Sequence, residues 1–429
     1  MRSGVCSSRF LKAFLPGVLV ILMITGAGLF AQERFSSIIG VVYDSSKAVL
    51  PGAEVTITNL ETKRTTTITT TDSGRYLARD LEPGRYSVSA QKSGFSKAEY
   101  PDVILLLGRT INLDFTLQVG QVAETIVVSG TLTMIDTNTT AVTHNVTADE
   151  FDYMPKTRTF QSVALTSPSV NSGEIEGGIQ VNGASGAENQ FTVDGISTSS
   201  LLDGSSRQDA AYEYLQEVQV KTSGLEAEYG GALGGVISAV TKSGGNEFHG
   251  EFHWYSSGSP FNVEPNLRLQ VNADDDRIAD TIQDNEFKDH INEIGGSVGG
   301  YILKDKLFFF SSFSPVVRSQ ESTVEFADGP STFESDRTTY NLFNKVSWDA
   351  TKRIRTNFAW LYNTYKRDGL LPGYDGSEPN SNTNTASTYD SYRTQGWYMP
   401  KNSYTGTVDI TLSNTSLLSF RAGYFWDNY

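Results

Sequence analysis

The sequence predicts a mainly β protein, because alternating runs and turn residues recur along most of its length. In the run that begins at Phe248, the aromatic residues Phe248, Phe252 and Trp254 alternate with polar ones. The final run repeats this period of two as far as Trp426. A strand that crosses a bilayer faces lipid on one side and a lumen on the other, so it alternates in this way. Residues 248–429 are therefore predicted to contain strands of a transmembrane β-barrel.

The first 31 residues are predicted to be a secretory signal peptide that is cleaved after Ala31. Three basic residues precede the apolar stretch 14–25, and small residues follow it. This order is typical of a signal peptide, and an uncleaved membrane anchor is the alternative. No run of 18 apolar residues occurs after Ala31, so no membrane-spanning helix is expected in the mature chain.

Cysteine content and charge exclude several classes of function. The only cysteine, Cys6, lies within the predicted signal peptide, so no disulfide or cysteine-based chemistry is expected in the mature chain. Loss of the peptide removes three positive charges and shifts the net charge from −15 to −18. Because such an acidic chain repels phosphate groups, no nucleic-acid partner is expected.

Residues 32–118 are predicted to form a small β-sandwich, because short strands are separated by Pro- and Gly-containing turns. The predicted strands are 38–43, 53–58, 65–71, 75–78, 85–92 and 111–117. The wording GVVYDSSKAVLPGAEVTITN, followed by TTTDSGRYLARDLEPGRYSVSAQKSGF, resembles the carboxypeptidase-regulatory-like, transthyretin-like domain. That family is not itself catalytic.

Residues 119–130 are predicted to be a linker that contains a recognition strand. Six of its residues resemble the TonB box of TonB-dependent outer-membrane receptors: Glu124, Thr125, Ile126, Val127, Val128 and Ser129. An extended β-branched segment can add its backbone N–H and C=O groups to the edge of a partner's sheet. The resemblance implies that these six residues bind TonB. One more strand of the sandwich is the alternative.

Residues 131–247 resemble the plug domain of the same receptors, which is an α+β domain. In GIQVNGASGAENQFTVDGIST a strand leads into Asp194-Gly195, and AEYGGALGGVISAVTKSGGNEFHG resembles the passage from the plug into the first barrel strand. The glycines of this passage are expected to allow close backbone approach and unusual dihedral angles. A phosphate-binding loop is not supported, because no Gly-Lys-Ser/Thr follows.

Residues 248–429 are predicted to contain about seven barrel strands, at 248–257, 291–302, 306–314, 338–348, 353–366, 402–412 and 416–428. Short turns are predicted at 304–305, 349–352 and 413–415, and long polar loops at 258–290, 315–337 and 367–401. This alternation of short and long links is typical of outer-membrane barrels. The wording IGGSVGGYILKDKLFFFSSF resembles Oar-like TonB-dependent receptors, although Tyr301-Ile302 stands where that family usually has a proline-containing pair.

Seven strands are too few to enclose a plug, because a plugged lumen goes with about 22 strands. Unpaired strand edges in lipid would also leave backbone groups without hydrogen bonds. The sequence therefore predicts an incomplete barrel in an N-terminal fragment of a larger receptor. Several short chains that share one barrel are the alternative.

No metal site, cofactor or catalytic residue is predicted, and the chain is not expected to be an enzyme. His249 and His253 are four residues apart, which on a strand separates them by about 13 Å and is too far for a shared zinc ion. The run of aspartates at 274–276 lacks the ligand spacing and the glycine of an EF-hand.

Two groups of aromatic residues have different predicted roles. One group is expected to form a lipid-facing band: Trp254, Phe308, Trp348, Trp360 and Trp426. The other group lies in the predicted loop 367–401 and is a candidate for stacking on sugar rings or a peptide: Tyr374, Tyr389, Tyr392, Trp397 and Tyr398. This second hypothesis rests on composition alone.

The resemblance implies a receptor in the outer membrane of a Gram-negative bacterium, in contact with outer-membrane lipid and with its N-terminal domain and plug on the periplasmic side. It implies active uptake of an unidentified large extracellular ligand, powered by the inner-membrane TonB–ExbB–ExbD complex. One alternative is an Oar-like protein that serves secretion or surface adhesion. A secreted β-sandwich adhesin without a membrane domain is another.

Overall fold

A computed structural model describes most of the chain from Phe35 onward. The described residues are 35–120, 125–127, 140–151, 153, 159–173, 178–200, 206, 210–225, 229–261, 268–271, 277, 279–282, 288–326, 328–372, 385–413 and 416–427. The predicted signal peptide, and the aspartates at 274–276, lie outside these residues. Within the described ranges no helix is long and apolar enough to cross a membrane.

The N-terminal domain is a sandwich of two sheets, as predicted. Its strands are β1 (Ser36–Asp44), β2 (Glu54–Asn59), β3 (Thr65–Thr69), β4 (Arg75–Leu81), β5 (Gly84–Gln91), β6 (Lys97–Leu105), β7 (Thr110–Asn112), β8 (Phe115–Leu117) and β9 (Thr125–Val127). One sheet has the order β4-β1-β7, with β8 also paired to β1, and the other has the order β3-β2-β5-β6-β9. Alternate residues of β1 and β5, such as Ile38, Val42 and Val88, are fully buried in the core of this domain.

Strand β6 was not among the predicted strands, because Pro101 interrupts its pattern. A proline has no N–H for a strand ladder and is tolerated at an irregularity. The pairing of β5 with β6 shifts register between Tyr86, opposite Val103, and Val88, opposite Tyr100. Pro101 falls within that shift, so the strand continues on both sides of it.

The middle of the described chain folds around a five-stranded sheet with short helices. Its elements are β10 (Val142–Thr147), α1 (Ala148–Phe151), α2 (Phe160–Ala164), β11 (Val170–Ser172), β12 (Ile179–Val181), β13 (Gln190–Val193), β14 (Ile196–Ser197), β15 (Leu215–Ser223) and β16 (Val236–Thr241). The sheet order is β10-β15-β16-β13-β14, and β11 pairs with β12. Helix α2 begins at the N-cap Thr159, whose side chain accepts a hydrogen bond from Ser162. This α+β unit occupies residues predicted to form the plug domain, and the plug is used below as its label.

Glycines in the plug have the structural roles expected of them. A Cβ atom on Gly235 would lie 2.8 Å from a methyl carbon of Val181 and 3.0 Å from the carbonyl oxygen of Lys221. Gly231 has a φ of +94°, which residues with a side chain rarely adopt. Gly235 is therefore required by close packing, and Gly231 is required by its backbone conformation.

The C-terminal sheet contains strands at all seven predicted positions. Its strands are β17 (His249–Gly258), β20 (Lys288–Leu303), β21 (Leu307–Phe313), β22 (Val316–Phe326), β23 (Gly329–Thr351), β24 (Ile354–Asp368), β25 (Gly396–Ser413) and β26 (Ser416–Asp427). A separate hairpin pairs β18 (Arg268–Val271) with β19 (Ala279–Ile282). The order is β17-β20-β21-β23-β24-β25-β26, and neighbouring strands are antiparallel. We call this the barrel sheet.

The predicted long loop 315–337 is wrong. Strand β22 lies between β20 and β23, as β21 does, so it continues the third strand beyond a break at Pro315. Because proline cannot donate to a strand ladder, Pro315 is interpreted in the sequence as the start of a loop. The predicted loop 367–401 is also shorter than expected, because a 3₁₀ helix occupies Ala386–Arg393 and β25 begins at Gly396.

The two faces of the barrel sheet differ as a transmembrane sheet requires. Phe252 and Trp254 of β17 are 77% and 67% exposed, whereas His253 between them is 7% exposed. On the inner face, Phe310 and Phe343 pack into the same apolar cluster as plug residues such as Tyr214. The inner face of the barrel sheet therefore packs against the plug, and apolar residues of its outer face are exposed.

Candidate functional site

The central part of the segment predicted to bind TonB pairs, through its backbone, with a sheet of the sandwich. Thr125, Ile126 and Val127 form β9, which pairs in parallel with Lys97–Glu99 of β6. Glu124, Val128 and Ser129 lie outside the described residues. The position of β9 therefore agrees with the alternative interpretation, a further strand of the sandwich. TonB binding by the six residues stays a prediction. Pairing with β6 uses one edge of β9, and strand addition by a partner would use the other.

Leu107, two residues after β6, fastens the sandwich to the plug. Its backbone N–H donates to both carboxylate oxygens of Glu217, at 3.1 and 3.0 Å, and its carbonyl accepts hydrogen bonds from Asn145 and Gln219. Asn145 also donates to Glu217. Because Leu107 and Glu217 are buried, this junction excludes water. We call these four residues the Leu107 clamp.

The carboxyl group of Glu217 is sensitive to pH near neutrality. Burial raises its pKa to about 7, although the hydrogen bonds from Asn145 and from the backbone of Leu107 act in the opposite direction. Burial disfavours the charged form of an acid unless nearby charges or donors compensate. The clamp therefore exchanges a proton in the neutral pH range.

A charged network joins the sandwich to a short turn of the barrel sheet. Arg64 of the sandwich contacts Asp349 of β23 at 2.7 Å, and Arg355 of β24 contacts the same carboxylate at 2.9 Å. Arg355 also pairs with Glu82 of the sandwich. Such partly buried pairs fix relative orientation because each charge needs its partner once water is excluded. The sandwich thus lies at the short-turn end of the barrel sheet.

A second buried pair joins the plug to the inner wall of the barrel sheet. The Nζ atom of Lys345 on β23 lies 3.5 Å from Oδ2 of Asp194 and donates to Oγ1 of Thr241 at 2.8 Å. Thr241 in turn donates to Asp194 through its backbone N–H and its hydroxyl, at 3.0 and 2.6 Å. We call these three residues the Lys345 lock. Close by, the rings of Tyr214 and Phe343 stack with centroids 4.7 Å apart.

The structure brings together three potential metal ligands that sequence reasoning missed. The ligand atoms of Glu213, His253 and Glu293 lie within 4.8 Å of one another, and all three residues are buried. They come from the plug and from two barrel strands, so no sequence spacing connects them. Nε2 of His253 lies 3.3 Å from Oε1 of Glu293 and 3.3 Å from Oγ of Ser314, distances that also fit hydrogen bonds. His253 thus contacts Glu293, while His249 lies four residues away on the same strand, as predicted.

A cavity of about 530 Å³ lies between the plug and the barrel wall. It is nearer the strand ends that carry the long connections than the short turns. Its wall combines basic, aromatic and amide side chains, including Arg318, Arg337, Asn363, Tyr365, Trp397 and Lys401. Arg337 lies 4.3 Å from the ring centroid of Tyr365, and Arg367 lies 5.1 Å from that of Trp397. Such a wall can bind anionic groups and flat rings.

The aromatic residues of the predicted ligand loop divide into different environments. Trp397 lines the cavity. Tyr398 is 56% exposed, with its hydroxyl 3.4 Å from that of Tyr362. Tyr389 is 8% exposed and packs against Phe326 and Tyr392, so its predicted role in ligand stacking is wrong. Tyr374 lies outside the described residues.

Four of the five residues predicted to face lipid lie on the outer face of the barrel sheet. Trp254, Trp348 and Trp426 are 67%, 50% and 42% exposed, and Trp360 is half-buried beside Tyr404. Phe308 is 1% exposed, so its assignment to this band is wrong. Phe308 and Phe310 both face inward from β21. The sequence does not show this, because three consecutive phenylalanines have no alternation that would indicate which of them faces inward.

Two family models match the chain. The carboxypeptidase regulatory-like domain matches residues 37–118, and the outer membrane beta barrel domain matches residues 240–429. The first covers the sandwich as far as β8, and the second begins at the end of β16 and includes the barrel sheet.

Relatives are found among curated proteins and solved structures. The TonB-dependent transporter Oar of Myxococcus xanthus is 32% identical over 306 residues, which are 68% of this chain and 28% of that protein. The outer membrane transporter YddB of Escherichia coli is 17% identical with a TM-score of 0.47, over 66% of this chain and 38% of that one. The siderophore receptor PirA of Acinetobacter baumannii is 18% identical with a TM-score of 0.45, over 66% and 39%.

The chain thus spans about 28% of the length of the curated relative that it matches. The two domain matches agree with the order of the sandwich and the barrel sheet along the chain. The chain is a homologue of the TonB-dependent transporter Oar, with a carboxypeptidase regulatory-like domain followed by an outer membrane β-barrel domain.

Proposed function

We propose that this chain is part of a TonB-dependent transporter that imports a ligand across the outer membrane. The observation that carries the proposal is the plug, which is held against the inner wall of the barrel sheet by buried polar contacts. A ligand can pass such a wall only if the plug moves, and the Lys345 lock must then open. Opening it requires work, since separated buried charges lose their compensation.

TonB is the proposed source of this work. Residues Glu124–Ser129 resemble a TonB box, and the relative from M. xanthus is described as TonB-dependent. In this proposal the inner-membrane TonB–ExbB–ExbD complex captures the segment by strand addition, which depends on backbone hydrogen bonds. The sandwich and the plug lie on the periplasmic side, where TonB has access to the segment.

The ligand is proposed to bind from outside, at the cavity wall that contains Arg337, Tyr365 and Trp397. Basic groups that stack on aromatic rings suit a ligand with carboxylate or phosphate groups and flat or cyclic parts. A charged sugar or a peptide meets this description. In the receptor that contains this chain, Trp397→Ala should weaken ligand binding at least tenfold. Tyr389→Ala, which removes a ring packed against Phe326, serves as the control outside the cavity.

The TonB step is tested by Ile126→Pro in the same receptor. Proline removes one backbone donor from the segment, so we expect loss of TonB binding and of energy-dependent uptake. Ile126→Ala retains the N–H and should keep both activities. If uptake and TonB binding survive the proline, the segment is not the TonB box. If cargo moves outward in a TonB-dependent way, secretion replaces import as the function.

A further inference from the structure

The strand β9 lies at the end of a sheet that the sandwich itself provides. It follows β6 in the order β3-β2-β5-β6-β9, with three register pairs from Lys97–Thr125 to Glu99–Val127. The chain before it is also tied to the sandwich. The N–H of Ser96 donates to the carbonyl of Gln118 at 2.8 Å, and Phe95 forms a bridge with Val119. The sandwich therefore determines where β9 lies and in which direction it runs.

Every strand has two edges, and β6 occupies only one edge of β9. Among the strands that the structure describes, none pairs with the other edge. A free edge presents N–H and C=O groups in a row and is a template for one more strand. The edge that is left free belongs to the segment proposed to bind TonB.

We propose that the sandwich presents the TonB box in the extended form, so that a strand of TonB adds to the free edge of Thr125–Val127 while β6 holds the other edge. This inference rests on the proposed function and concerns how the same segment is recognised. It assigns the carboxypeptidase regulatory-like domain a role as a docking platform. A preformed strand binds more tightly than a flexible one, because the backbone has already been ordered.

The contacts of β6 explain why the platform stays in place when TonB binds. The strand ends at Leu105, and Leu107 is held in the clamp to Glu217, Asn145 and Gln219 of the plug. A pull on β9 is therefore applied to β6 and passes through Leu107 to the strand β15 of the plug. The Leu107 clamp thus connects the sandwich to the plug through described residues only.

The test is a disulfide that ties β9 to β6 in the receptor that contains this chain. Lys97 and Thr125 are register partners, and neighbouring strands are about 4.8 Å apart, within the Cα range of about 4.4–6.8 Å for disulfides. The variant is Lys97→Cys with Thr125→Cys, and Glu99→Cys with Val127→Cys is a second register pair. Lys97→Cys with Val127→Cys is out of register by two residues, about 8 Å apart, and is the matched control. Within the 429 residues the only native cysteine is Cys6, inside the predicted signal peptide.

We expect both register pairs to oxidise readily in the resting receptor and the control pair to stay reduced. The oxidised register variants should bind the purified periplasmic domain of TonB with a dissociation constant within about twofold of the reduced ones. A tenfold or greater loss on oxidation, restored by reduction, would overturn the inference, since β9 would then have to leave the sandwich. Failure of both register pairs to oxidise would overturn it too. If the unaltered receptor does not bind TonB at all, the proposed function fails instead.

Discussion

The sandwich and the barrel sheet share a period of two, but they bury opposite kinds of residue. In β1 the apolar residues Ile38 and Val42 are fully buried, because a second sheet covers them. In β17 the apolar residues Phe252 and Trp254 are 77% and 67% exposed, and the polar His253 between them is buried. The difference shows that alternation specifies a strand with two unlike faces. The surroundings, a second sheet or a bilayer, decide which face is inside.

The largest expected effect is a charge placed in the sandwich core. Val88→Asp buries an unpaired carboxylate at a position with 0% exposure, so we expect a loss of at least about 4 kcal/mol in stability. Limited proteolysis of the receptor, followed with an antibody against residues 35–118, should show rapid degradation of this domain alone. The control is Ile104→Asp, at a site 47% exposed on the same sheet. Equal resistance of the two variants would contradict the two-sheet core.

The Lys345 lock should be the next most sensitive position. Lys345→Met leaves Asp194 buried without its cation, which costs about 3–5 kcal/mol. Hydrogen exchange of β16, which contains Thr241, should become faster. The double variant Lys345→Met with Asp194→Asn removes both charges and should recover most of the protection. If the single variant exchanges no faster than the native protein, the plug is not held by this pair.

A charge on the outer face of the barrel sheet should have an intermediate effect that depends on lipid. Phe252→Arg exposes a cation to the bilayer at a cost of about 2–4 kcal/mol if the site lies near the midplane. The free energy of unfolding from bilayers in urea measures this cost, and Phe252→Leu is the control. The effect of Val88→Asp, in the sandwich core, should not depend on the lipid. A neutral outcome for Phe252→Arg would mean that this face does not contact lipid.

The smallest expected effect concerns pH at the Leu107 clamp. The pKa of Glu217, about 7 in the folded protein, is raised above its ordinary value of 4.5. Folding therefore takes up a proton, and the stability that this group contributes is greatest below about pH 4.5 and is lost as the pH rises through about 7. Protease sensitivity near Leu107 should increase between pH 5.5 and 8.5. Glu217→Gln should abolish this change, and Glu99→Gln should leave it intact, because hydrogen bonds from Ser87 and Lys97 lower the pKa of Glu99.

Proline explains most of the difference between predicted and observed strands. Pro101 lies inside β6 and Pro315 separates β21 from β22, so both segments are read as interruptions in the sequence. In the structure a register shift accommodates the first proline, and neighbours on both sides keep the third barrel strand in line beyond the second. Local pattern predicts where a strand starts, whereas ladder partners decide how far it continues.

Local sequence pattern predicts the β class, the sandwich, the seven barrel positions and the outward direction of Trp254, because each depends on neighbouring residues and a period of two. Which distant groups meet depends instead on how the folded elements pack. Leu107 meets Glu217 and Lys345 meets Asp194 across domain boundaries, and His253 meets Glu293 across two paired strands of the barrel sheet. The position of β9 also depends on how distant elements pack. Its composition predicts an extended strand, but the edge that it occupies depends on where the chain brings β6.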